Sequence, residues 1–188
     1  MTRAAAEAAV DTLLEYIEPK TFEREGLQRT AFRVIKSFEE IFEGYLMDPR
    51  DILSRVFEEG HDSMVIVRDI PFYSTCEHHM IPFFGTVDIG YVPDGGRVVG
   101  LSKLARLVDC YAKRLQVQER MTGQIVDALE KYLHPRGSMC VIRAEHLCMC
   151  ARGIKKPGSQ TITSSVHGVF AEKGDPRSEF LHLTDTQR

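Results

Sequence analysis

The chain has 188 residues, 43% hydrophobic and 27% charged; this is an ordinary globular composition, which excludes a disordered chain and supplies apolar material for a core. Lys and Arg number 24 against 27 Asp and Glu, a formal net charge of −3, so a general nucleic-acid binder is excluded and any anionic ligand must meet a local basic cluster. Five cysteines, with no signal-peptide core or membrane-length apolar run, fit a reducing cytoplasmic setting in which thiols serve metal binding, catalysis or packing and not a disulfide framework.

In chain order, Ala4 to Ile17 reads as a helix, with Val10, Leu13, Leu14 and Ile17 at helical spacing and Pro19 as its stop. Gln28 to Tyr45 reads as a second helix on the stripe Val34, Ile35, Phe38, Ile41 and Phe42. A short helix is predicted from Arg50 to Phe57, with Asp48 as cap and Pro49 at its first position. The pattern then turns β-branched and aromatic. Met64 to Val67 and Phe83 to Val92 read as strands, with an irregular segment from Pro71 to Pro82 between them. Pro93-Asp94-Gly95-Gly96 signals a turn, and Arg97 to Gly100 begins a return strand. Ser102 is the expected cap of a helix to about Leu115, and a further helix spans about Val117 to Leu133. Met139 to Ala151 and Thr161 to Ala171 read as strands, and Pro176 to Leu183 as a closing helix. The order predicts one α+β domain with an antiparallel sheet.

Three segments carry chemistry. Cys76 and His79 have C-x2-H spacing, suited to two ligands of one metal, and His146-Leu147-Cys148-Met149-Cys150 is the other dense group. Read as a strand, that group points His146, Cys148, Cys150 and Arg152 the same way. With Cys148 as third ligand, the set is two thiolates and an imidazole with a position open to water, catalytic in type and suited to zinc. The same residues also fit buried cysteines and surface histidines. His78 and His146, next to the proposed ligands, can move protons near neutral pH or simply bond a carbonyl. Lys103 and Arg106, at the start of the helix after Gly100, oppose its dipole unless an anion binds there. Glu119 is either a first-turn acid or an acceptor for the N1 and N2 donors of guanine.

These residues resemble the GTP cyclohydrolase I family. The matching stretches are Ser74 to His79, Val99 to Arg106, Arg114 to Arg120, His146 to Cys148 with Ala151 to Gly153, and Thr161 to Ser164. The resemblance runs from about Glu25 to Leu183. It implies the tunnelling fold: an antiparallel sheet with helices on one face, sheets of five subunits joined in a barrel, and two rings stacked as a homodecamer with active sites between subunits. An N-terminal helical region, 1–60, would precede a catalytic unit, 61–188. The implied reaction converts GTP and water to formate and 7,8-dihydroneopterin triphosphate, at the entry to folate or pterin synthesis.

Carried over by residue, the resemblance implies Cys76, His79 and Cys148 as ligands of one Zn2+ per subunit. It implies His78 as the acid for the purine imidazole ring, His146 as a second acid–base group and Ser102 as a helper near the ribose. Gln118 and Glu119 resemble the guanine-reading pair. Lys103, Arg106 and Arg152 resemble the triphosphate set, joined by Arg33 and Lys36 from a neighbouring subunit. No role falls to Cys150 or His167, Thr30-Ala31 stands where the family often has Thr-Pro, and an N-terminal regulatory segment is not expected. Two other readings compete. A tunnelling-fold nitrile reductase needs no zinc trio, and a non-catalytic zinc-stabilised module would need a fourth ligand, for which Cys150 is the nominee.

Overall fold

The computed structural model describes residues 2–20, 23–172 and 174–185. They divide into two compact units, 1–43 and 44–188. Among the described residues no helix is long and apolar enough to cross a membrane.

The first unit is a pair of helices, α1 (Arg3–Ile17) and α2 (Thr30–Ile41). The Thr2 hydroxyl caps α1 by accepting from the Ala5 N–H at 3.2 Å. Arg3 bridges the helices, pairing with Glu7 on its own helix and Glu39 on α2, both at 2.9 Å. α2 stops at Ile41, short of the expected Tyr45, and a 3-10 turn takes over from Glu43 to Leu46.

The second unit is built on a five-stranded sheet. Its strands are β2 (Val65–Cys76), β3 (Ile81–Val92), β5 (Leu115–Gln116), β6 (Gly137–His146) and β7 (Gln160–Gly168), in the order β5-β2-β3-β6-β7. All neighbours are antiparallel except the short β2–β5 pair. Helices α3 (Pro49–Leu53), α4 (Leu101–Ala112) and α5 (Gln118–Leu133) pack the main core on one face, where Phe83, Leu104, Met121 and Ile125 are buried. A smaller core lies on the other face under α7 (Asp175–Thr184): Val92, Met139, Val141, Phe170 and Phe180. A Cβ at Gly90 would stand 2.5 Å from the Phe180 ring, so only glycine lets α7 lie this close to β3. Because both faces are covered, the first six residues of β6 are all buried.

Four expectations about elements are corrected. The segment from Pro71 onward is not irregular but continues β2 to Cys76. A bulge between Val67 and Ile70 absorbs the misfit, with Asp69 at φ 57 and its N–H held by the buried Asp88 carboxylate at 2.8 Å. Pro71 is tolerated because β5 pairs with β2 only at Thr75 and Cys76, leaving an open side at Pro71. The short helix after Asp48 ends at Leu53, and Val56–Glu58 forms β1. The return strand β4 (Arg97–Val99) pairs with β1, not with β3. The buried Tyr91 hydroxyl accepts from the Val99 N–H at 3.0 Å and fixes that departure. Finally, β6 ends at His146, and Leu147–Cys150 makes one helical turn, α6.

Candidate active site

The turn after β2 is set by backbone bonds. The Met80 N–H donates to the Cys76 carbonyl at 2.8 Å and the Glu77 N–H to the Gln116 carbonyl at 3.0 Å. Met80 takes a left-handed φ of 52 to complete it. This tight reversal presents Cys76 and His79 together. Cys148 comes from α6, so it reaches them from a helical turn and not from the strand face expected for it. The ligand atoms of Cys76, His79 and Cys148 lie within 4.8 Å of one another. Two thiols and an imidazole at that spacing suit an ion with bonds of about 2.0–2.3 Å, and soft donors favour zinc. Burial, and then the nearby Cys76, push the Cys148 thiol up; a bound cation would reverse this, since a coordinated thiol is deprotonated.

Cys150 does not join this group. Its thiol donates to the Glu145 carboxylate at 3.1 Å, and the Gly158 N–H donates to the same oxygen at 3.1 Å. That backbone bond, first, and the thiol, second, hold the Glu145 carboxyl below the usual range. His167, the other unassigned residue, faces Glu130 at 3.1 Å on the far part of β7.

The other predicted residues gather in four places. His78 stands beside the trio, its Nδ1 3.8 Å from the Cys76 sulfur. Arg152 lies against His79, donating to Nε2 at 3.2 Å. His146 ends β6 opposite Phe83, and the two rings stack at 4.6 Å and 3°. A Cβ at Gly85 would meet the Arg143 carbonyl at 1.9 Å, so glycine there lets β3 and β6 close next to that stack.

Gln118 organises the His146 side. It is 1% exposed and begins α5. Its amide nitrogen donates to the Ile142 carbonyl (3.1 Å), the Thr161 carbonyl (3.0 Å) and the Thr163 hydroxyl (3.1 Å). Its oxygen lies 2.8 Å from His146 Nε2. An amide oxygen only accepts, so this bond places a proton on Nε2 and leaves Nδ1 as the acceptor of the neutral ring. Burial lowers the His146 pKa, against a smaller upward pull from Glu119. The Gln118 side chain is therefore committed within the protein. Glu119, next to it, is exposed and makes no hydrogen bond or ion pair among the described residues. Thr122 and Thr163, which sequence reasoning missed, share a 2.6 Å hydroxyl contact that pins α5 to β7; only the quoted run Thr161 to Ser164 hinted at them.

The basic segment of α4 differs from expectation in its cap. Gly100 is the N-cap with no side-chain acceptor, and Ser102 sits inside the first turn. The chain enters the helix directly from β4, two residues too early for the hydroxyl to cap it. The first-turn N–H groups thus lack a capping side chain beside Lys103, and Arg106 is exposed one turn on. Such an end suits an anion. Arg33 and Lys36 are exposed on α2 in the first unit, where Arg33 donates to the Thr30 hydroxyl at 2.8 Å.

Fold and site together define an α+β protein with a Cys2His group whose three donor atoms stand close enough to hold one metal ion. The family model described as GTP cyclohydrolase I matches residues 6–185. GTP cyclohydrolase 1 of Mycolicibacterium vanbaalenii is 55% identical over 182 residues, 96% of this chain and 90% of that one. The Mycobacterium tuberculosis protein of the same name is 55% identical over 179 residues, covering 95% and 88%. That of Carboxydothermus hydrogenoformans is 51% identical over 181 residues, covering 96% and 94%. This chain belongs to the GTP cyclohydrolase I family of enzymes. An apo archaeosine synthase QueF-Like structure aligns at TM-score 0.45 and 17% identity, over 56% of this chain and 94% of that one, a likeness too slight to bear on function.

Proposed function

We propose that the chain is a zinc-dependent cyclohydrolase that converts GTP and water to formate and 7,8-dihydroneopterin triphosphate. The observation that carries this reading is the Cys76/His79/Cys148 group with His78 beside it. Cys76, His79 and Cys148 would hold a zinc ion, and that ion would supply a water activated at neutral pH as the nucleophile for C8 of the purine. His78 gives a proton to the imidazole nitrogen as the ring opens. His146, held neutral with its Nδ1 as acceptor, takes and returns protons as formate leaves. Glu119 accepts the guanine N1 and N2 donors. Gln118 shares in base reading by fixing the frame of α5 and His146, because its own amide is committed within the protein.

Lys103, Arg106 and Arg152 hold the triphosphate, with the uncapped start of α4 adding N–H donors. Ser102 serves the ribose step. Arg33 and Lys36 reach the triphosphate of a neighbouring subunit, in a decamer of two five-membered rings whose sheets close the tunnelling-fold barrel. The proposed catalytic unit, 61–188, lies within the second compact unit, 44–188. Proton transfers suffice for the sequence of steps, so no redox cofactor is required.

The direct test is to incubate the zinc-loaded protein with GTP and assay formate and, after oxidation, a fluorescent pterin. Absence of both would refute the reading. For His146→Ala we expect zinc content unchanged and turnover lower by about 10²–10⁴, the usual weight of a general acid–base group. Native turnover would remove His146 from the mechanism. For Glu119→Ala we expect GTP affinity of the metal-free chain, measured by calorimetric titration, to fall about 10–100-fold, the value of hydrogen bonds to a charged acceptor. The thermal midpoint should not move, because the side chain is exposed and makes no bond of its own in the protein. Equal affinity would refute the guanine-reading role.

A further inference from the structure

Glu77 and Arg120 stand inside two of the motifs yet have no part in the site as described. Glu77 lies between Cys76 and His78, and Arg120 follows Glu119. The two side chains meet as a fork: Arg120 donates through both terminal nitrogens to the two Glu77 oxygens, at 2.5 and 3.0 Å. The side chains retain 48% and 31% of their exposure, for Arg120 and Glu77 respectively. At that exposure an ion pair contributes little to stability. A two-armed guanidinium–carboxylate fork does, however, fix both distance and orientation.

What it fixes is specific. At its main chain, Glu77 is already bound to Gln116 of β5. Through its carboxylate it is bound to the first turn of α5. That turn also carries Gln118, which holds His146, and Glu119. The fork thus joins the turn bearing Cys76 and His79 to the helix end bearing the proposed base acceptor. With both arms on Glu77, Arg120 also leaves the neighbouring Glu119 carboxylate without an ion pair among the described residues.

We infer that Glu77 and Arg120 are a positioning pair that sets the span between the metal-holding turn and Glu119, so that a guanine held by Glu119 presents C8 at the metal. The inference rests on the zinc and GTP reading given above. Neither residue touches substrate in this role; both act through their neighbours. Lysine cannot replace Arg120, since an ammonium gives a point charge without the fork.

The test compares Glu77→Gln, Arg120→Gln, Arg120→Lys and the Glu77→Gln/Arg120→Gln double variant with the unsubstituted chain, all zinc-loaded. Each single variant should lose about 10²-fold in kcat/KM for GTP, the cost of a misplacement of roughly 1 Å. The double variant should lose no more than either glutamine variant alone, because one fork is lost in all three. Zinc content, the absorption band of the cobalt(II)-substituted protein and the thermal midpoint should stay as in the unsubstituted chain, since the turn keeps its backbone bonds. Native kcat/KM in the folded variants, or a double-variant loss equal to the product of the single losses, would overturn the pairing. If Glu77→Gln does not fold, Arg120→Lys decides alone, and native kcat/KM there overturns the inference. An unsubstituted chain that releases no formate from GTP overturns the parent reading and this one together; an active parent with active variants overturns this one only.

Discussion

Cys148→Ala should remove metal and turnover together. Cys76 and His79 come from a single turn and bring two donors; Cys148, from α6, is the only donor of the group contributed by another segment. Binding of a structural zinc by four ligands is worth about 10–16 kcal/mol, so one ligand carries roughly 2.5–4 kcal/mol, and its loss lowers affinity on the order of 10²–10³-fold. The fold should tolerate the change, because the thiol is only half-buried at the edge of the main core. Cys150→Ala is the matched control. It removes a thiol two residues away whose bonds run to Glu145 and the Lys156 carbonyl, and it should keep both metal and turnover. Metal analysis after exhaustive dialysis, with formate release on the same samples, measures both. Full zinc in the Cys148→Ala chain would refute the ligand assignment.

The second large effect falls far from the chemistry in sequence but close to the frame that carries it. Asp88→Ala should cost about 3–5 kcal/mol, the penalty for breaking a buried ion pair and leaving its partner unpaired. For a chain of this size that corresponds to a fall of about 6–20 °C in the thermal midpoint. Asp88 is fully buried on β3. One of its oxygens accepts from the Asp69 N–H and so holds the β2 bulge; the other pairs with Arg143 on β6. Arg143 in turn donates to the Thr184 carbonyl at 3.4 Å, and Arg68 to the Leu183 carbonyl at 3.2 Å, so the end of α7 is tied to the same network. Replacing both partners, as Asp88→Leu with Arg143→Met, should cost less than Asp88→Ala alone, because no buried charge is then left unpaired. Differential scanning calorimetry of the three chains tests this. A midpoint unchanged in Asp88→Ala would show the network to be dispensable.

The bulge that Asp88 holds also marks a limit of sequence reading. Pro71, Pro82 and the polar and ring residues between them argue against strand, by propensity. The structure nevertheless runs β2 straight to Cys76, because the bulge resets the register and the open side at Pro71 hides its missing N–H. Similarly, Met139 to Ala151 has a continuous strand-like pattern. The strand stops at His146, since the chain must turn there to bring Cys148 to Cys76 and His79. Ser102 has the right chemistry for a cap, yet the helix begins before it. In each case a local preference yields to a connection made elsewhere in the fold.

By itself the sequence determined most of the element types, the α+β class, and the Cys76–His79 pair as candidate donors, because periodicity and the spacing of those two residues are local properties of the chain. It also carried the family resemblance in short, ordered motifs. Only the tertiary structure decided which side chains stand together: Gln118 with His146, Cys150 with Glu145 and away from the metal group, and the Glu77–Arg120 fork. Those pairings join residues on different elements, up to 43 positions apart for the fork. Their distances are set by sheet register and helix packing, which no local pattern of residues encodes.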